Sequence, residues 1–193
     1  MENKYQIIAL FGPSGAGKDT VMNWVLKKYP KELHKIINCT TRPKREYEED
    51  GKDYFFLTDE EFAIDVINNK MLEATAFNNW AYGTRDSELD KEKVNIGVFN
   101  IAAIQCLQDN PDINILPIYI HTDDKERLIR ALNREEEPNC AEICRRFISD
   151  AADFEKVDFF HTEIYLNSKK IKQNKKNALR SFSEIYNFYF KED

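Results

Sequence analysis

The chain has 193 residues, of which 42% are hydrophobic and 32% are charged, and its formal net charge is −6. This composition is typical of a soluble globular protein of one domain, and the acidic balance argues against a general nucleic-acid binder. No apolar run approaches the roughly 18 residues of a membrane span, and the N-terminus lacks the long apolar segment of a signal peptide, so we expect a cytoplasmic protein that binds neither membranes nor nucleic acids.

Runs of β-branched and aromatic residues predict strands, and apolar residues at helical spacing predict helices. In chain order the predicted elements are a strand (4–11), a helix that ends before Pro30, two strands (36–39 and 54–57), a helix begun by a capping box of Thr58 and Glu61, a helix (86–91), a strand (94–99), a helix (101–108), a strand (113–121), two helices (123–134 and 141–155), a strand (163–167) and a helix (172–190). This alternation predicts a three-layer α/β fold with a mainly parallel sheet.

The segment FGPSGAGKDT, between the first strand and the first helix, has the pattern of a phosphate-binding loop. Its glycines let the backbone curl so that N–H groups point at phosphate oxygens, and the helix adds its positive N-terminal end. The lysine would place its ammonium group on the β- and γ-phosphates. The predicted ATP-binding residues of this loop are Gly12, Pro13, Ser14, Gly15, Ala16, Gly17, Lys18, Asp19 and Thr20.

A second cluster of polar residues lies in the segment TTRPKREYEEDGKDYFF. Arg42 and Arg45 are three residues apart, and Tyr54 follows them. Two guanidinium groups can bind a phosphate dianion through paired hydrogen bonds, and a phenol adds one directional hydrogen bond. From these residues alone, a monophosphate-binding clamp and a charged surface loop remain equal alternatives.

Arginines also recur in the later helices. Arg127, Arg130 and Arg134 fall at i, i+3 and i+7 and therefore share one helix face, and Arg146 lies in the next helix. Arginines that close over a transferring phosphoryl group stabilise its developing charge. The alternative is a set of solvated helix charges paired with neighbouring glutamates.

The four cysteines and three histidines form no pattern of metal ligands. Cys140 and Cys144 are four residues apart, but no histidine lies close to them in the sequence. Scattered thiols of this kind are usually buried or idle in a reducing compartment, so we expect no zinc site.

The motifs GPSGAGK, TTRPKR, DGKDYFF, MLEATAF and YGT follow one another in the order and approximate spacing of guanylate kinases, and the chain resembles that family over essentially its whole length. The resemblance implies transfer of the γ-phosphoryl group of ATP to GMP or dGMP, with Mg²⁺ as the cofactor. It also implies a single domain with the P-loop kinase fold. Its parts would be a parallel core sheet (about 1–35, 93–122 and 156–193), an inserted GMP-binding lobe (about 36–92) and a helical lid (about 123–155).

The resemblance also assigns site residues. Glu73 and Thr84 match the guanine contacts of the family, and a carboxylate suits guanine because it accepts from both N1–H and N2–H, which adenine lacks. A glutamate here could instead be a surface charge. The implied ligands of the acceptor phosphate are Arg42, Arg45, Tyr54 and Tyr82. The implied catalytic residues are Lys18, Arg45, Arg130, Arg134 and Arg146, and Asn167 matches an asparagine near the adenine of ATP.

The chain departs from the family pattern at three places. Asn38 replaces a serine of the acceptor lobe and can still donate to phosphate. Val98 and Asn100 replace two aspartates, and Asn100 keeps an acceptor oxygen for the base. Asp19 replaces the hydroxyl residue that normally binds Mg²⁺. Either Asp19 supplies, through water, the negative oxygen that Val98 lacks, or it only stabilises the helix N-terminus.

These departures keep other functions open. The Gly-Lys-Asp loop also resembles ribose 1,5-bisphosphokinases, and Asn100 is compatible with a broad-specificity deoxynucleotide kinase. Guanylate-kinase-like interaction modules are expected to lose the lysine or the glycines of the loop, and this chain keeps them. The intact Glu73 and the Tyr-Gly-Thr motif favour a nucleobase acceptor. The sequence leaves the oligomeric state and the choice between GMP and dGMP open.

Overall fold

The computed structural model describes residues 5–77, 79–134, 136–155, 162–166 and 170–191. Its strands are β1 (Tyr5–Phe11), β2 (Leu33–Lys35), β3 (Cys39–Thr40), β4 (Phe55–Phe56), β5 (Met71–Phe77), β6 (Trp80–Arg85), β7 (Val94–Val98), β8 (Ile113–His121) and β9 (Glu163–Tyr165). Its helices are α1 (Lys18–Lys28), α2 (Asp59–Ile67), α3 (Ile101–Gln108), α4 (Asp124–Leu132), α5 (Cys140–Glu155) and α6 (Ile171–Phe190). Within these ranges, no helix is both long and apolar enough to cross a bilayer.

The strands form two sheets. The larger sheet has the order β2-β7-β1-β8-β9, and β2 pairs with β7, and β8 with β9, in parallel. The smaller sheet has the order β4-β3-β6-β5, in which β6 pairs antiparallel with both β3 and β5. Helices that alternate with the strands of a parallel core sheet confirm the predicted α/β fold class.

Backbone contacts divide the chain into two compact units, and the division falls within β1 and β8. The first unit contains Met1–Ala9 and Tyr29–Leu116, and the second contains Leu10–Lys28 and Pro117–Asp193. The predicted organisation as one domain with a lobe at 36–92 and a lid at 123–155 stays a prediction.

Buried apolar side chains occur in both units. In the first unit, Ile7, Ile8, Ile96 and Ile104 are fully buried, as the apolar runs of β1 and β7 and the apolar face of α3 predict. In the second unit, the Phe11 ring at the end of β1 lies 5.4 Å from the Tyr119 ring. Burial of Phe11 beside the half-buried Tyr119 fixes the carboxyl end of β1, where the glycine-rich loop begins.

The predicted helix starts and the predicted long strands are largely confirmed. α3 and β8 have the predicted bounds, and α2 begins with the predicted capping box. In that box, Glu61 N–H donates to Thr58 Oγ1 at 3.1 Å, and Thr58 N–H donates to Glu61 Oε2 at 2.8 Å. Residues 4 and 167, at the ends of the first and last predicted strands, lie outside the described residues.

Two predictions of local structure are wrong. The predicted strand at 36–39 is instead mostly a connection between the two sheets. β2 of the larger sheet ends at Lys35, and β3 of the smaller sheet begins at Cys39. The predicted helix at 86–91 is only a 3₁₀ turn, Asp86–Glu88. It stops because Asp90 Oδ1 accepts from the N–H groups of Glu92 and Lys93, which closes a turn in place of a second helical turn.

The hairpin of β5 and β6 was not predicted. The two strands pair in register from Glu73 opposite Thr84 to Phe77 opposite Trp80. Asn79, which lies in the connection, has a positive φ of 66°, a conformation that asparagine tolerates. The sequence signal was the mixture of apolar and polar residues in MLEATAF and WAYGTR, which is weak because both faces carry polar side chains.

Candidate functional site

The glycine-rich loop of the second unit has the backbone conformation that its sequence requires. Gly12, Gly15 and Gly17 have φ values of 143°, 79° and 95°, which residues with a side chain rarely adopt. A Cβ atom at Gly12 would lie 2.8 Å from the Ile120 carbonyl oxygen, and one at Gly15 would lie 2.8 Å from the Arg127 carbonyl oxygen. The loop is therefore packed against β8 and α4 too closely to accept other residues.

Lys18 is the first residue of α1, and its side chain folds back over the loop. Its ammonium group donates to the carbonyl oxygens of Gly12 at 2.8 Å and Pro13 at 3.1 Å. Burial lowers the pKa of this ammonium group, and the charges of Asp19 and Asp150 oppose the shift. The first N–H groups of α1 have no partner within the helix, so cationic and N–H donors both meet at the loop.

Thr122, directly after β8, and Arg130 of α4 contact the loop. The buried Thr122 hydroxyl donates to the Ala16 carbonyl oxygen at 2.8 Å. Arg130 Nη1 lies 3.5 Å from the Gly15 carbonyl oxygen, so this predicted catalytic arginine is beside the loop. The Thr122 side chain therefore stabilises the loop and does not cap α4. Asp123 is the N-cap residue of α4, and its side chain makes no capping hydrogen bond.

An ion pair that the sequence did not predict holds the peptide groups of Ser14. The Ser14 N–H donates to Asp150 Oδ2 at 2.6 Å, and Arg127 Nη1 donates to the Ser14 carbonyl oxygen at 3.1 Å. The same Arg127 nitrogen lies 3.6 Å from Asp150 Oδ2, and both side chains are only 4% exposed. Arg127 is therefore a structural arginine of the loop, and Asp150 lacked a sequence signal because its partner is 136 residues away.

The remaining predicted residues of this unit are less deeply placed. Asp19 lies in the first turn of α1, inside the helix and not at its N-cap, and it is exposed, as is Thr20. Arg146 Nε donates to Glu142 Oε1 at 2.6 Å, and the hydrogen bonds from Arg145 and Arg146 lower the pKa of Glu142 to about 2. Arg134 is exposed, and its positive charge contributes to lowering the pKa of Lys18. Asn167 lies outside the described residues.

In the first unit, the predicted acceptor arginines are organised by a buried glutamate that the sequence did not single out. Arg42 Nη2 donates to both carboxylate oxygens of Glu48, at 2.8 and 3.0 Å. Arg45 donates its backbone N–H to Glu48 Oε2 at 2.9 Å. Burial opposes charge on both partners, but the ion pair outweighs it, so the pKa of Arg42 is raised and that of Glu48 is lowered.

The predicted tyrosines lie beside these arginines. The Arg42 guanidinium lies 5.6 Å from the centre of the Tyr54 ring, and the Tyr54 and Tyr82 rings are 6.3 Å apart. Arg45 Nη1 lies 3.5 Å from Glu48 Oε1, so it belongs to the same cluster. The structure therefore brings Arg42, Arg45, Tyr54 and Tyr82 together, and their role as ligands of the acceptor phosphate stays a prediction.

The predicted guanine contacts, Glu73 and Thr84, are directly opposite each other in the β5–β6 pairing. The Thr84 hydroxyl lies 2.8 Å from Glu73 Oε1, and both residues are buried, Thr84 fully and Glu73 to all but 6%. Glu73 Oε2 is buried with no hydrogen-bond partner among the described residues. Burial raises the pKa of Glu73 to about 7, although the Thr84 hydrogen bond opposes this shift. Glu73 is therefore not a surface charge.

Strand pairing places the predicted phosphate ligand of β6 and the predicted guanine contacts on one face of the hairpin. Tyr82 and Thr84 are two residues apart on β6 and so point to the same side of the sheet. Their partners on β5 are Thr75 and Glu73. A Cβ atom at Gly83 would lie 2.8 Å from the Glu73 carbonyl oxygen, so the glycine of the Tyr-Gly-Thr motif permits this close pairing.

The three residues that depart from the family pattern in this unit have defined partners. Asn38 Nδ2 donates to the Val98 carbonyl oxygen at 2.7 Å, and its Oδ1 lies 3.1 Å from the Thr84 hydroxyl. Asn100 is the N-cap of α3, where its Oδ1 accepts from Ala103 N–H at 2.7 Å. Its Nδ2 donates to Thr75 Oγ1 at 2.9 Å. The predicted contacts of Asn38 with phosphate and of Asn100 with the base stay predictions.

Comparisons with known proteins agree with this arrangement. A family model described as guanylate kinase matches residues 4–181. A guanylate kinase of Mycoplasmoides gallisepticum is 32% identical over 171 residues, which cover 86% of this chain and 84% of the relative. One of Mycoplasma genitalium is 28% identical over 165 residues, which cover 83% and 68%. One of Thermotoga maritima is 47% identical over 81 residues, which span 39% of its length, so the chain spans less than half of some curated relatives that it matches.

The fold is also that of a solved relative. The crystal structure of guanylate kinase from Anaplasma phagocytophilum superposes with a TM-score of 0.67 over 99% of this chain and 98% of the other, at 20% identity. At this identity the likeness concerns the fold alone. The family model, which covers most of the chain, identifies this protein as a member of the guanylate kinase family.

Proposed function

We propose that this protein is a guanylate kinase that transfers the γ-phosphoryl group of ATP to GMP or dGMP, giving ADP and GDP or dGDP. The observation that carries the proposal is the buried Glu73 carboxyl group, whose Oε2 has no partner among the described residues. A buried acceptor without a donor costs free energy unless a ligand satisfies it. Guanine offers the N1–H and N2–H donors that a carboxylate accepts, whereas adenine offers neither at these positions.

The phosphate of the acceptor nucleotide would bind the arginine and tyrosine cluster of the same sheet. Glu48 fixes the Arg42 guanidinium through two hydrogen bonds, so this arginine loses little conformational freedom when it meets a phosphate. The Tyr54 and Tyr82 phenols add directional hydrogen bonds. A nucleotide with a guanine base and one phosphate would therefore satisfy both halves of the acceptor site.

The donor ATP would bind the glycine-rich loop. Its phosphates would replace the two loop carbonyl oxygens as partners of the Lys18 ammonium group and would take up the N–H groups at the start of α1. Arg130 lies beside the loop, and we assign Arg134 and Arg146 with it to charge stabilisation at the transferring phosphoryl group. The residues act by position and charge, without a covalent intermediate.

Mg²⁺ is the cofactor we propose, carried mainly by the ATP phosphates. Among the described residues, no three histidine, cysteine, aspartate or glutamate side chains are grouped so that they could hold a metal ion. One carboxylate and the ATP phosphates form a donor set that fits Mg²⁺, because this ion keeps several waters and binds proteins through one or two carboxylates together with substrate phosphates. The exposed Asp19 carboxylate in the first turn of α1 would contact it through water. When bound, Mg²⁺ neutralises charge on the phosphates.

A coupled assay of ADP formation tests the proposal. The purified protein is given ATP and Mg²⁺ with GMP, dGMP, AMP, UMP or ribose 1,5-bisphosphate. We expect turnover with GMP and dGMP and little with the other acceptors. Absence of turnover with both guanine nucleotides would refute the proposal, and turnover with ribose 1,5-bisphosphate alone would establish the sugar-phosphate alternative.

A further inference from the structure

Asn38, Thr84 and Glu73 form a chain of hydrogen-bonding groups whose direction can be determined. Asn38 Nδ2 lies 2.7 Å from the Val98 carbonyl oxygen. A carbonyl oxygen only accepts hydrogen bonds, so the amide nitrogen of Asn38 must face it. The amide oxygen therefore faces the Thr84 hydroxyl, 3.1 Å away, and needs a donor there.

The number of hydrogens in this chain indicates the protonation state of Glu73. The Thr84 hydroxyl has one hydrogen, yet it lies within hydrogen-bond distance of Asn38 Oδ1 and of Glu73 Oε1. If Glu73 is ionised, two acceptors share this single hydrogen. If Glu73 is protonated, its O–H donates to Thr84 Oγ1 and the Thr84 hydroxyl donates to Asn38 Oδ1, which satisfies every group. Thr84 is fully buried, so water does not supply the missing donor at the hydroxyl.

We propose that Asn38, acting through the Thr84 hydroxyl, favours the neutral carboxylic acid form of Glu73 in the unliganded site, and that guanine binding releases its proton. This inference rests on the proposed function, because it concerns the same acceptor site. Neutral Glu73 presents one free acceptor, the Oε2 atom. Guanine brings two donors, N1–H and N2–H, so both carboxylate oxygens must accept. The Glu73 O–H bond breaks, its proton passes to the solvent buffer, and the Thr84 hydroxyl then donates to Oε1.

The surroundings of Glu73 favour the neutral acid. Burial raises the pKa of Glu73 to about 7, and neither ion pairs nor hydrogen bonds to charged groups are described for it. The elements packed against β5 are α2, α3 and β6. The Asp65 carboxylate of α2 is paired with Arg85 of β6 at 2.6 Å. Burial raises the pKa of the Cys39 thiol on β3 to about 11, and Cys106 of α3 is exposed.

A base with one donor makes a matched comparison. Hypoxanthine has the N1–H of guanine but no 2-amino group, so neutral Glu73 can satisfy it through Oε2 alone. IMP binding should therefore leave the Glu73 proton in place. GMP binding should release this proton. The affinity for GMP relative to that for IMP should therefore increase as the pH rises from 6 to 8.

Titration calorimetry at pH 7 in buffers of different ionisation enthalpy counts the released protons. Because a group with a pKa near 7 is half protonated at pH 7, we expect wild-type protein to release about 0.5 proton more per bound GMP than Glu73→Gln. Protons released by the GMP phosphate are common to both proteins and cancel. Asn38→Ala, which removes the acceptor that favours the neutral acid, should release less than half of the wild-type excess.

Equal proton release by wild-type protein and Glu73→Gln would overturn the inference, and so would an undiminished excess in Asn38→Ala. If Glu73→Gln binds GMP too weakly, the pH dependence of the GMP Kd in wild-type protein and Asn38→Ala replaces it. The wild-type Kd should then decrease from pH 6 to pH 8 more than that of Asn38→Ala, and identical profiles would refute the inference. Failure of wild-type protein to bind or phosphorylate GMP would instead refute the proposed function.

Discussion

The phosphate loop (residues 12–18) and the acceptor sheet (β3 to β6) both hold cationic side chains, but their partners differ. In the loop, Lys18 donates to backbone carbonyl oxygens. In the connection between β3 and β4 of the acceptor sheet, Arg42 and Arg45 bind the Glu48 side chain. The loop therefore depends on a backbone conformation that only its glycines permit, whereas the acceptor sheet depends on side chains that single substitutions can change. Asn38 and Asn100 depart from the family pattern beside the acceptor sheet, whereas the loop keeps its glycines and lysine and departs only at Asp19, after the lysine.

Buried carboxyl groups show the second difference. Glu48 and Asp150 are each within ion-pair distance of an arginine, at 2.8 and 3.6 Å, and position it. Within the described part of the chain Glu73 has no charged partner, and burial raises its pKa to about 7. A paired buried carboxylate stabilises the site itself, whereas an unpaired buried carboxyl group is available to a ligand.

Lys18→Ala should have the largest effect and should act only on the donor side. We expect kcat/KM for ATP to decrease about 10³-fold, because a donor to the charge on the transferring phosphoryl group is lost. Steady-state kinetics measure the loss, and GMP affinity should be unchanged. Lys27→Ala, an exposed lysine of the same helix, is the matched control. Retained activity in Lys18→Ala would remove Lys18 from the donor site.

Glu73→Gln should decrease kcat/KM for GMP about 10²-fold and leave the KM for ATP unchanged, because the amide accepts only one of the two guanine donors.

Glu73→Gln should also change the pH dependence of stability. The folded-state pKa of Glu73 is raised to about 7, so the fold favours the neutral form. The stability that neutral Glu73 contributes is complete below about pH 4.5 and is lost progressively as the pH rises to about 7. Thermal melts should show Glu73→Gln gaining stability relative to wild type over this range. A gap independent of pH would contradict a buried, titrating Glu73.

Glu48→Gln tests whether the acceptor cations need their carboxylate. Removing its charge leaves the buried Arg42 without a full partner, so we expect the KM for GMP to increase about tenfold. The KM for ATP should not change. Glu49→Gln, in which an exposed glutamate loses its pair with Lys52, is the control and should behave as wild type. Equal effects of the two substitutions would contradict the positioning role of Glu48.

Asp150→Ala is the counterpart on the donor side. Loss of the hydrogen bond from Ser14 N–H should increase the KM for ATP about fivefold, the value of one typical hydrogen bond, with the KM for GMP unchanged. Asp150→Asn keeps an acceptor oxygen and should restore most of the affinity. Asp153→Ala, at an exposed position of the same helix, is the control. If Asn restores nothing, or if both KM values increase together, Asp150 does not position the loop.

Asp19→Ala should have the smallest effect. If Asp19 contacts Mg²⁺ through water, the Mg²⁺ concentration for half-maximal activity should increase about threefold. An unchanged requirement would leave only the interaction of Asp19 with the N-terminus of α1. Asp59→Ala, in the first turn of α2, controls for a general effect of helix-terminal charge on stability.

The sequence predicted those parts of the fold and site that depend on local patterns. The phosphate loop, the α2 capping box and the bounds of β8 follow from residues close in the chain. The pairing of Ser14 with Asp150 does not, because these residues are 136 positions apart and nothing in a single sequence joins them. The pairing of Glu48 with Arg42 and Arg45 was easier to predict, since Glu48 follows these arginines by six and three residues. Its role depends on burial, which a charged segment does not reveal.

The central claim is that this chain phosphorylates guanine nucleotides because Glu73 selects the base. Equimolar GMP, AMP and UMP are mixed with ATP labelled in its γ-phosphate, and the labelled diphosphates are separated. Competition in one mixture gives the ratio of the kcat/KM values directly. We predict that GDP carries the label in about 10²-fold excess over the other products, and that the excess largely disappears in Glu73→Gln. Label spread evenly over the three diphosphates, or an excess in GDP that survives this substitution, would contradict the account.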